Sequence, residues 1–456
     1  MGMPPASGAA RALLDAVRGA GVVGEGGAGF PAHVKYDTRA GVVIANGCEC
    51  EPLLYTDQHL MRTRAGEITR ALREVMAAVG AQRGVVAIKA KYADVARALE
   101  GPCASAGLEL ARLDNFYPAG DEHILVHEVT GRTIPPLGLP KDVDALVANV
   151  GTLASVSQAL DGLPVTRKTL TVTGEVARPC VLEAPLGTSL AEILDFCGGP
   201  VAADPVFLLG GPMMGRFLED RAALAEAVVT KTTGGLIVLP RGHFLHEAAT
   251  LTPEVMRKRA ATACIQCRYC TDLCPRYLVG HSFETHRVMK AFGAGAGIGA
   301  EAAQGAQQAL LCCECGVCEL FSCPMRLSPR RINALFKAAF RERGVGYQRP
   351  REVRPAQAEL RPFRKIPASR LASKTGLAPY MDIHPEFAGL FTPGEVRIPL
   401  RQHIGAPAVA VVAPGDRVAV GDLLGEIPEG ALGARIHASI GGVVTETGAS
   451  VVVKGA

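Results

Sequence analysis

The sequence predicts a multidomain α/β protein that also contains a cysteine-rich helical domain. In the first 165 residues, apolar helical patterns alternate with short strand-like runs such as Gly84–Lys89, as in nucleotide-binding folds. Two cysteine runs follow, beginning at Cys264 and Cys312, and the C-terminal part alternates short apolar runs with Gly-Asp and Pro-Gly turns. At 456 residues and 48% hydrophobic content, the chain can hold about three domains with sizeable cores.

Residues 1–165 are predicted to form the α/β domain. A helical pattern over Ala10–Val17 leads to the glycine-rich stretch GEGGAGFP, Gly24–Pro31, and a β-rich run over Gly41–Ala45 ends at the acidic loop NGCECEP. A glycine loop lets the backbone approach a phosphate or a flat ring closely, because no Cβ stands between them. Alone it is a weak signal, since its spacing differs from the GxGxxG dinucleotide motif.

Three further segments lie outside the cysteine runs. Residues 166–245 contain two short strands, a turn and a helix, followed by FLLGGPMMG and GGLIVL, which indicates a small β-grasp module. Residues 344–394 are predicted to be a basic, proline-containing linker; a docking strip for an acidic partner is the alternative. Residues 395–456 show the pattern of a compact β-sandwich module.

The cysteine runs lie in residues 254–343, where helical patterns flank each run. They read CxxCxxCxxxCP and CxxCxxCxxxxCP, and this spacing wraps three thiolates around one corner of an iron–sulfur cube. In two-cluster ferredoxins the fourth cysteine of each run ligates the other cluster. The sequence therefore predicts two [4Fe-4S] clusters, one held by Cys264, Cys267, Cys270 and Cys323, and the other by Cys312, Cys315, Cys318 and Cys274. Cys313 is left as the spare thiol.

Structural zinc is the alternative for these cysteines, because CxxC knuckles also hold zinc. Zinc sites use two separated pairs of ligands, whereas here three cysteines recur at three-residue steps and a fourth precedes proline, twice. A disulfide framework is disfavoured because the spacings are those of metal ligands and no secretory signal is evident. A cytoplasmic protein is expected.

The composition bears on which kinds of partner the protein can have. No apolar run approaches the ~18 residues that span a bilayer, so no direct membrane insertion is expected. The net charge of +4 does not indicate a nucleic-acid partner. A hydride donor such as NADH gives two electrons and a cluster takes one, so a cofactor must split the pair, and flavin does this. The glycine loop, the acidic loop about 15 residues on and the clusters downstream together indicate a flavin site.

Four stretches carry a resemblance to known families: GEGGAGFPAHVKY, NGCECEPLLYTDQHLM, YPAGDEHILVHEVTGR and NVGTLASVSQAL. In this order they resemble the flavin-binding subunit of respiratory complex I and its relative in the Rnf complex, the RnfC protein. Over nearly its whole length the chain also resembles the cobalamin reductases of propanediol-degrading microcompartments. The resemblance implies a Rossmann-type FMN domain, an SLBB-type β-grasp module, a two-cluster ferredoxin-like domain and a C-terminal barrel-sandwich hybrid. The chain departs from the complex I pattern at Cys48 and Ala148.

The resemblance also implies the site residues. Those expected to bind FMN are Gly24, Gly26, Gly27, Gly29, Lys35, Asn46, Gly120, Glu122, Asn149 and Thr152. Glu49 and Glu51 of the acidic loop are the expected catalytic residues, with Glu51 beside the nicotinamide. Phe30 and Tyr36 are candidate stacking faces for the nicotinamide or adenine, with plain core packing as the alternative.

The implied reaction is reduction of cob(II)alamin by NADH through FMN and the two clusters, inside a bacterial microcompartment. Implied partners are a corrinoid or corrinoid enzyme and a shell protein. Two alternatives keep NADH and FMN as the electron donors but differ in the acceptor. One is a relay protein within a membrane Rnf-type ion pump, and the other is an electron conduit that serves a shell protein. The C-terminal module resembles lipoyl and biotinyl carrier domains, but its turn Pro428–Arg435 has no lysine, so no cofactor attachment is expected.

Overall fold

The computed structural model describes residues 8–295, 305–348, 356–357 and 359–455. Residues 1–7 of the predicted N-terminal domain, residues 296–304 of the predicted two-cluster domain and part of the predicted linker therefore lie outside the described residues. Among the helices in the described ranges, none combines the length and apolar character needed to cross a membrane.

The N-terminal domain is built on a parallel four-stranded sheet in the order β3-β2-β1-β5. The strands of this domain are β1 (Val42–Gly47), β2 (Arg83–Lys89), β3 (Glu109–Leu113), the short β4 (Phe116–Tyr117) and β5 (Ala145–Asn149). The helices are Gly8–Gly19, Ala32–Tyr36, Thr56–Thr63, Ala65–Val79, Ala93–Ala106, Glu122–Thr130 and Val150–Leu160. Strand β1 is almost wholly buried, because helices cover both faces of a parallel sheet.

The register of this sheet places two predicted site residues side by side. Asn46 and Asn149 are partners at the carboxyl ends of β1 and β5. In open α/β sheets, ligands bind in the crevice outside the carboxyl ends of the strands. The flavin-site residues therefore lie at the edge where this architecture places a ligand.

The second unit is a mixed sheet in which five strands follow the order β7-β6-β10-β8-β9. They are β6 (Arg167–Gly174), β7 (Cys180–Pro185), β8 (Pro205–Leu209), β9 (Arg216–Leu218) and β10 (Gly235–Pro240). The helices Leu190–Phe196 and Arg221–Glu226 complete it. Apolar residues of this sheet and of the N-terminal domain share one hydrophobic core, so the two units pack directly on each other.

The segment predicted as a linker contains regular structure that joins two neighbouring units. Its strands are β11 (Ile366–Pro367), which pairs with β4, and β12 (Glu386–Leu390), which adds a parallel edge to β7. Its helices are Arg361–Arg364 and Ala368–Lys374. Arg361 forms an ion pair with Glu128, and Lys365 lies 3.1 Å from both Glu128 and Asp114. Part of the basic stretch thus meets its acidic partners within the same chain.

The cysteine-rich region is helical. Its helices are Phe244–Thr250, Pro253–Ala263, Tyr269–Asp272, Pro275–Leu278, Thr285–Gly293 and Pro329–Glu342. The longer ones enclose a small core in which Phe336 lies edge-on to Phe292 and stacked on Phe340. The helix Pro253–Ala263 ends directly at Cys264. The short helix Tyr269–Asp272 carries Cys270 of the first run, and a π-helical turn over Val317–Ser322 carries Cys318 of the second.

The C-terminal module contains two small sheets, ordered β13-β19-β18-β15 and β14-β16-β17. Its strands are β13 (Glu395–Pro399), β14 (Val409–Ala410), β15 (Arg417–Val418), β16 (Leu423–Glu426), β17 (Ile436–His437), β18 (Gly442–Thr447) and β19 (Ser450–Gly455). The buried Lys231 donates hydrogen bonds of 2.6 Å to the carbonyl oxygens of Gly21 and Arg435. This ammonium therefore ties the turn Pro428–Arg435 to the N-terminal domain. Burial lowers the pKa of Lys231 to about 7.

Candidate functional site

The glycine loop is held against the start of the helix Val150–Leu160. The Glu25 backbone N–H donates to Thr152 Oγ1 at 2.9 Å. A Cβ at Gly26 would lie 3.2 Å from Asn149 Cβ, whereas one at Gly27 would meet nothing within 4 Å. The loop thus brings Gly26, Asn149 and Thr152 together and leaves open space beside Gly27. A bare backbone next to a helix N-terminus fits the phosphate of a flavin nucleotide.

Other loop residues face elsewhere. Gly29 has a φ of 72°, and a Cβ there would lie 3.0 Å from the carbonyl oxygen of Gln402 in the C-terminal module. Gly29 is therefore required for this domain contact, and its role toward FMN stays a prediction. Phe30 is 37% exposed and can offer a ring face. Tyr36 is buried in the main core, which favours the alternative of core packing over a role as a stacking face. The sequence alone does not show whether an aromatic residue two helical turns after a glycine loop stacks on a ligand or packs in the core.

Lys35 and Glu122, both predicted to bind FMN, form an ion pair with 2.6 Å between Nζ and Oε1. Glu122 is the first residue of the helix Glu122–Thr130, whose N-terminus is capped by Asp121. The pair brings the two predicted residues together at the rim of the site. The phosphate role of Lys35 remains a prediction, because in this structure its ammonium is engaged by a carboxylate.

The acidic loop is fixed by hydrogen bonds to the segment YPAGDEH. Asn46 Nδ2 donates to the Gly120 carbonyl oxygen at 2.9 Å, and Asn46 Oδ1 accepts from the Cys48 backbone N–H at 3.1 Å. The Gly120 N–H donates to Cys50 Sγ at 2.7 Å. A Cβ at Gly120 would lie 2.7 Å from the Cys48 carbonyl oxygen, so a side chain at this position would displace the loop.

Glu49 connects to Asp57, which the sequence did not single out. Glu49 accepts from the Asp57 N–H at 3.2 Å and from Gln58 Nε2 at 3.4 Å, while Asp57 accepts from Asn149 Nδ2 at 2.8 Å. Burial raises the pKa of Glu49, and the charge of Asp57 raises it further. Asp57 lies within the matching stretch NGCECEPLLYTDQHLM, but nothing in that pattern marks it as a partner of Asn149.

A buried ion pair behind the glycine loop was also missed. Glu25 pairs with Lys168, both side chains are almost completely buried, and Ser155 Oγ donates to Glu25 Oε1 at 2.6 Å. Lys168 comes from β6 of the second unit. The pair therefore fixes the glycine loop to the second unit. Because Glu25 and Lys168 are 143 residues apart, no local sequence pattern predicts their contact.

Glu51 lies where three domains meet. Its Oε2 accepts from the Met213 N–H at 2.7 Å, and the Met213 carbonyl oxygen accepts from Arg330 Nη1 at 3.1 Å. A Cβ at Gly211 would overlap Glu51 Cγ. Burial raises the pKa of Glu51 to about 7. Glu51 is thus a partly buried carboxyl that holds the loop after β8, and its contact with nicotinamide stays a prediction.

The eight predicted cluster cysteines form two groups. The first group is Cys264, Cys267, Cys270 and Cys323, which line one cavity together. The second group is Cys274, Cys312, Cys315 and Cys318, which are all buried. Burial and the neighbouring thiols of its own group raise the pKa of Cys270 to about 12. The crossed grouping that the spacing predicts is therefore also the grouping in space, and the ligand assignment stays a prediction.

The donor chemistry of both groups fits iron–sulfur ligation. The Leu327 N–H donates to Cys323 Sγ at 3.4 Å and the Glu314 N–H to Cys312 Sγ at 3.3 Å. Hydrogen bonds to ligand sulfurs are one of the means by which proteins tune clusters. The spare thiol Cys313 lies next to Cys315 of the second group. A hydrogen bond with Cys315 lowers the pKa of Cys313, and Arg276 adds to this effect. The choice between Cys312 and Cys313 as ligand therefore stays open.

The second cysteine group touches the flavin-side loops directly. Tyr117 Oη donates to the Cys315 carbonyl oxygen at 2.7 Å, and this hydrogen bond is buried. Arg276 pairs with Asp121 at 2.9 Å. Cys50 packs against the hydrophobic cluster that contains Tyr117 and Cys315. The buried cysteine group is thus joined to the segment that holds Gly120 and Glu122.

Comparison with known families matches four parts of the chain. The Nuo51 FMN-binding domain matches residues 17–158, and the SLBB domain matches residues 169–217. The 4Fe-4S dicluster domain matches residues 263–328, and the RnfC barrel sandwich hybrid domain matches residues 385–456. These matches confirm the predicted fold class and give the chain an FMN-binding and a dicluster domain.

Curated relatives cover the chain almost completely. Cobalamin reductase PduS of Salmonella typhimurium is 43% identical over 95% of this chain and 94% of its own length. Cobalamin reductase PduS of Citrobacter freundii is 42% identical over 96% and 95%. One component of the Na(+)-translocating ferredoxin:NAD(+) oxidoreductase complex of Acetobacterium woodii is 34% identical over 59% of each chain. With flavin and iron–sulfur domains in one polypeptide, this electron-transferring oxidoreductase belongs to the cobalamin reductase PduS family.

Proposed function

We propose that the chain is an NADH-dependent cob(II)alamin reductase that holds FMN and two [4Fe-4S] clusters. Two relatives match at 42–43% identity over nearly the full length, and both are named cobalamin reductases. Their names support cob(II)alamin as the electron acceptor. When bound, FMN accepts two electrons from a nicotinamide and releases them singly, and each iron–sulfur cluster takes one. A bacterial microcompartment is the proposed location, with a shell protein as a further proposed partner.

On the donor side, the chain supplies a glycine-loop cradle and two partly buried carboxyls, Glu49 and Glu51. The backbone at Gly27 is open, and the neighbouring Gly26 approaches Asn149, whose side chain caps the helix Val150–Leu160 by accepting from the N–H groups of Gly151 and Thr152. A glycine backbone beside a helix N-terminus suits a phosphate, because no Cβ blocks its approach and the helix dipole favours negative charge. Glu49 and Glu51 have raised pKa values, so each holds a proton more readily than an exposed carboxyl does.

On the acceptor side, one observation carries the proposal. The buried hydrogen bond from Tyr117 to the Cys315 carbonyl oxygen joins the segment that positions Gly120 to the second cysteine group. Because the proposed flavin site and the second cysteine group are adjacent, a single electron can pass from one to the other without crossing solvent. The first group then lies beyond the second, because it lines a cavity around the exposed Cys267.

The second candidate is an electron-entry protein of a membrane Rnf-type ferredoxin:NAD oxidoreductase. The 34% identity to the matching component of the Acetobacterium woodii complex favours it on the donor side. That match covers 59% of the chain, whereas the cobalamin reductases match 95% or more. The two candidates differ in their acceptor, so the acceptor assay separates them.

The test measures the two halves of the reaction separately under anaerobic conditions. Cys264→Ser should keep NADH:ferricyanide activity, which drains the flavin, and should lose NADH-dependent cob(II)alamin reduction. Glu51→Gln should lose NADH oxidation while dithionite still reduces the protein. Cys103→Ser, which removes a buried thiol from the helix Ala93–Ala106, is the matched control and should leave both activities unchanged.

Two outcomes would contradict the proposal. If Cys264→Ser reduces cob(II)alamin at the unmodified rate, that cysteine group does not lie on the path to the corrinoid. If wild-type protein oxidises NADH with ferricyanide but never reduces cob(II)alamin, the acceptor is a different molecule and the Rnf-type candidate is favoured.

A further inference from the structure

The two cysteine groups differ in their access to solvent. All four cysteines of the second group are buried, whereas in the first group Cys267 is exposed and the other three are partly exposed. The first group also lines a cavity with Gln266, Pro324 and Met325. Electron transfer weakens steeply with distance, so an acceptor outside the protein is served best from the first group.

Large apolar side chains surround this exposed group. Ile265 is 62% exposed, Tyr269 is 53% exposed and Met325 is 39% exposed. Ile265 and Tyr269 belong to the first cysteine run, and Met325 follows Cys323 and Pro324 of the second. We call these three side chains the apolar centre. Clustered exposed apolar residues of this kind mark contact surfaces.

A basic rim adjoins the apolar centre. Its members are Arg257, Lys258, Arg259, Arg268 and Arg326. The first three lie on the helix that ends at Cys264, and Arg259 Nη2 donates to the Arg326 carbonyl oxygen at 2.8 Å. Three acids lie among these cations: Glu254 pairs with Lys258 at 2.9 Å, Glu284 lies 2.8 Å from Arg287 and 3.5 Å from Arg268, and Asp272 lies 4.0 Å from Arg268. With Arg287 included, six cations stand against three carboxylates. The face is therefore positive around an apolar middle.

We propose that this face docks an acidic redox protein that takes electrons from the first cysteine group. The proposal rests on the proposed electron output through the cysteines and adds the class of partner. Transient electron-transfer complexes have small interfaces, and complementary charge steers their encounter. A positive rim attracts a carboxylate-rich surface, and the apolar centre then contacts the partner beside its cofactor.

The test uses two haem proteins of opposite charge as probes, acidic cytochrome b5 and basic cytochrome c. The full-length protein is reduced with dithionite and freed of excess reductant, so the measurement does not depend on NADH. Stopped-flow absorbance gives the rate of haem reduction, and titration calorimetry gives binding without turnover. Wild-type protein should bind cytochrome b5, reduce it faster than cytochrome c, and lose this preference at high salt.

The charge variant is Arg257→Glu with Lys258→Glu, on the helix that precedes the cysteine loop. It should lower the rate of cytochrome b5 reduction about tenfold and weaken its binding, with iron content unchanged. Ile265→Asp tests the apolar centre in the same assay. Arg97→Glu, at an exposed position of the helix Ala93–Ala106, is the matched control and should change nothing.

Unchanged cytochrome b5 binding and reduction in the charge variant, with iron intact, would overturn the proposal. So would equal rates for the two cytochromes in wild-type protein. If the Ile265 variant instead slows reduction of free cob(II)alamin without affecting cytochrome b5, the face serves a small corrinoid and not a protein. Failure of the proposed function is seen separately, as absence of NADH-dependent cob(II)alamin reduction in wild-type protein.

Discussion

Arg276 is expected to set the reduction potential of the buried cluster. It follows the Cys274–Pro275 pair, lies almost completely buried, and carries its charge next to Cys313 and Cys315. Reduction adds a negative charge to a cluster, and a nearby guanidinium stabilises that charge. A hydrogen bond to a charged group is worth about 1.5–3 kcal/mol. For a one-electron couple this corresponds to roughly 65–130 mV.

Arg276→Gln keeps a polar side chain and removes the charge. The potential of the cluster held by the second cysteine group should therefore become more negative by roughly that amount. An anaerobic redox titration followed by electron paramagnetic resonance measures both clusters in one sample. Arg276→Lys, which keeps the charge, should recover most of the shift.

The result that would refute this reasoning is specific. If Arg276→Gln shifts both clusters equally, or shifts only the one held by the first group, then Arg276 does not act through local charge on the second group. Arg276 also pairs with Asp121 of the flavin-side segment. FMN content must therefore be measured in the same samples, so that a displaced Asp121 is recognised.

Three further predictions concern the ligands, the flavin and the acidic loop. Cys274→Ser should remove about half of the roughly eight irons expected per chain, because its thiol lies with Cys312 and Cys318, and Cys313→Ala should keep them; full iron in the Cys274 variant would contradict the crossed grouping. Lys35→Ala should release FMN more readily on dilution than Lys35→Arg; equal retention would remove Lys35 from phosphate binding. Glu51 has a folded-state pKa of about 7, above its unfolded value of about 4.5, so its ionisation opposes folding as pH rises through this window. The loss is up to about 3 kcal/mol and is complete above pH 7, and Glu51→Gln should remove it. Melting temperatures measured from pH 5 to pH 8 should therefore fall less steeply in the variant than in the wild type.

The parts of the fold that depend on local spacing could be predicted from the sequence. The cysteine runs specify their own loops, because three ligands within seven residues leave few chain paths around one cube. Their crossed grouping in space follows the same rule. The pairing of Asn46 with Asn149 could be expected as well, since both end strands of one parallel sheet.

Contacts between distant segments could not be predicted. The Glu25–Lys168 pair joins two domains, and each residue alone looks like an ordinary surface charge in the sequence. The strand β12 lies in a segment whose prolines and basic residues indicated a linker, yet it adds to the sheet of the second unit. The role of Tyr36 stayed open between stacking and core packing for the same reason, because burial is decided by what packs over a residue from elsewhere in the chain.

Glu51 has two proposed roles, one in holding three domains together and one in the reaction with NADH, and an experiment must separate them. Its carboxylate holds the Met213 N–H, and the Met213 carbonyl oxygen is held in turn by Arg330, so one short chain of contacts links the acidic loop, the second unit and the cysteine-rich region. An alanine at position 51 would release this link and disturb flavin and cluster domains at once. Glutamine keeps an oxygen that accepts from Met213 and removes only the ionisable proton. Loss of NADH oxidation in Glu51→Gln with normal iron and FMN content would therefore assign the carboxyl itself to the donor reaction, whereas loss in alanine alone would assign it to holding the domains together.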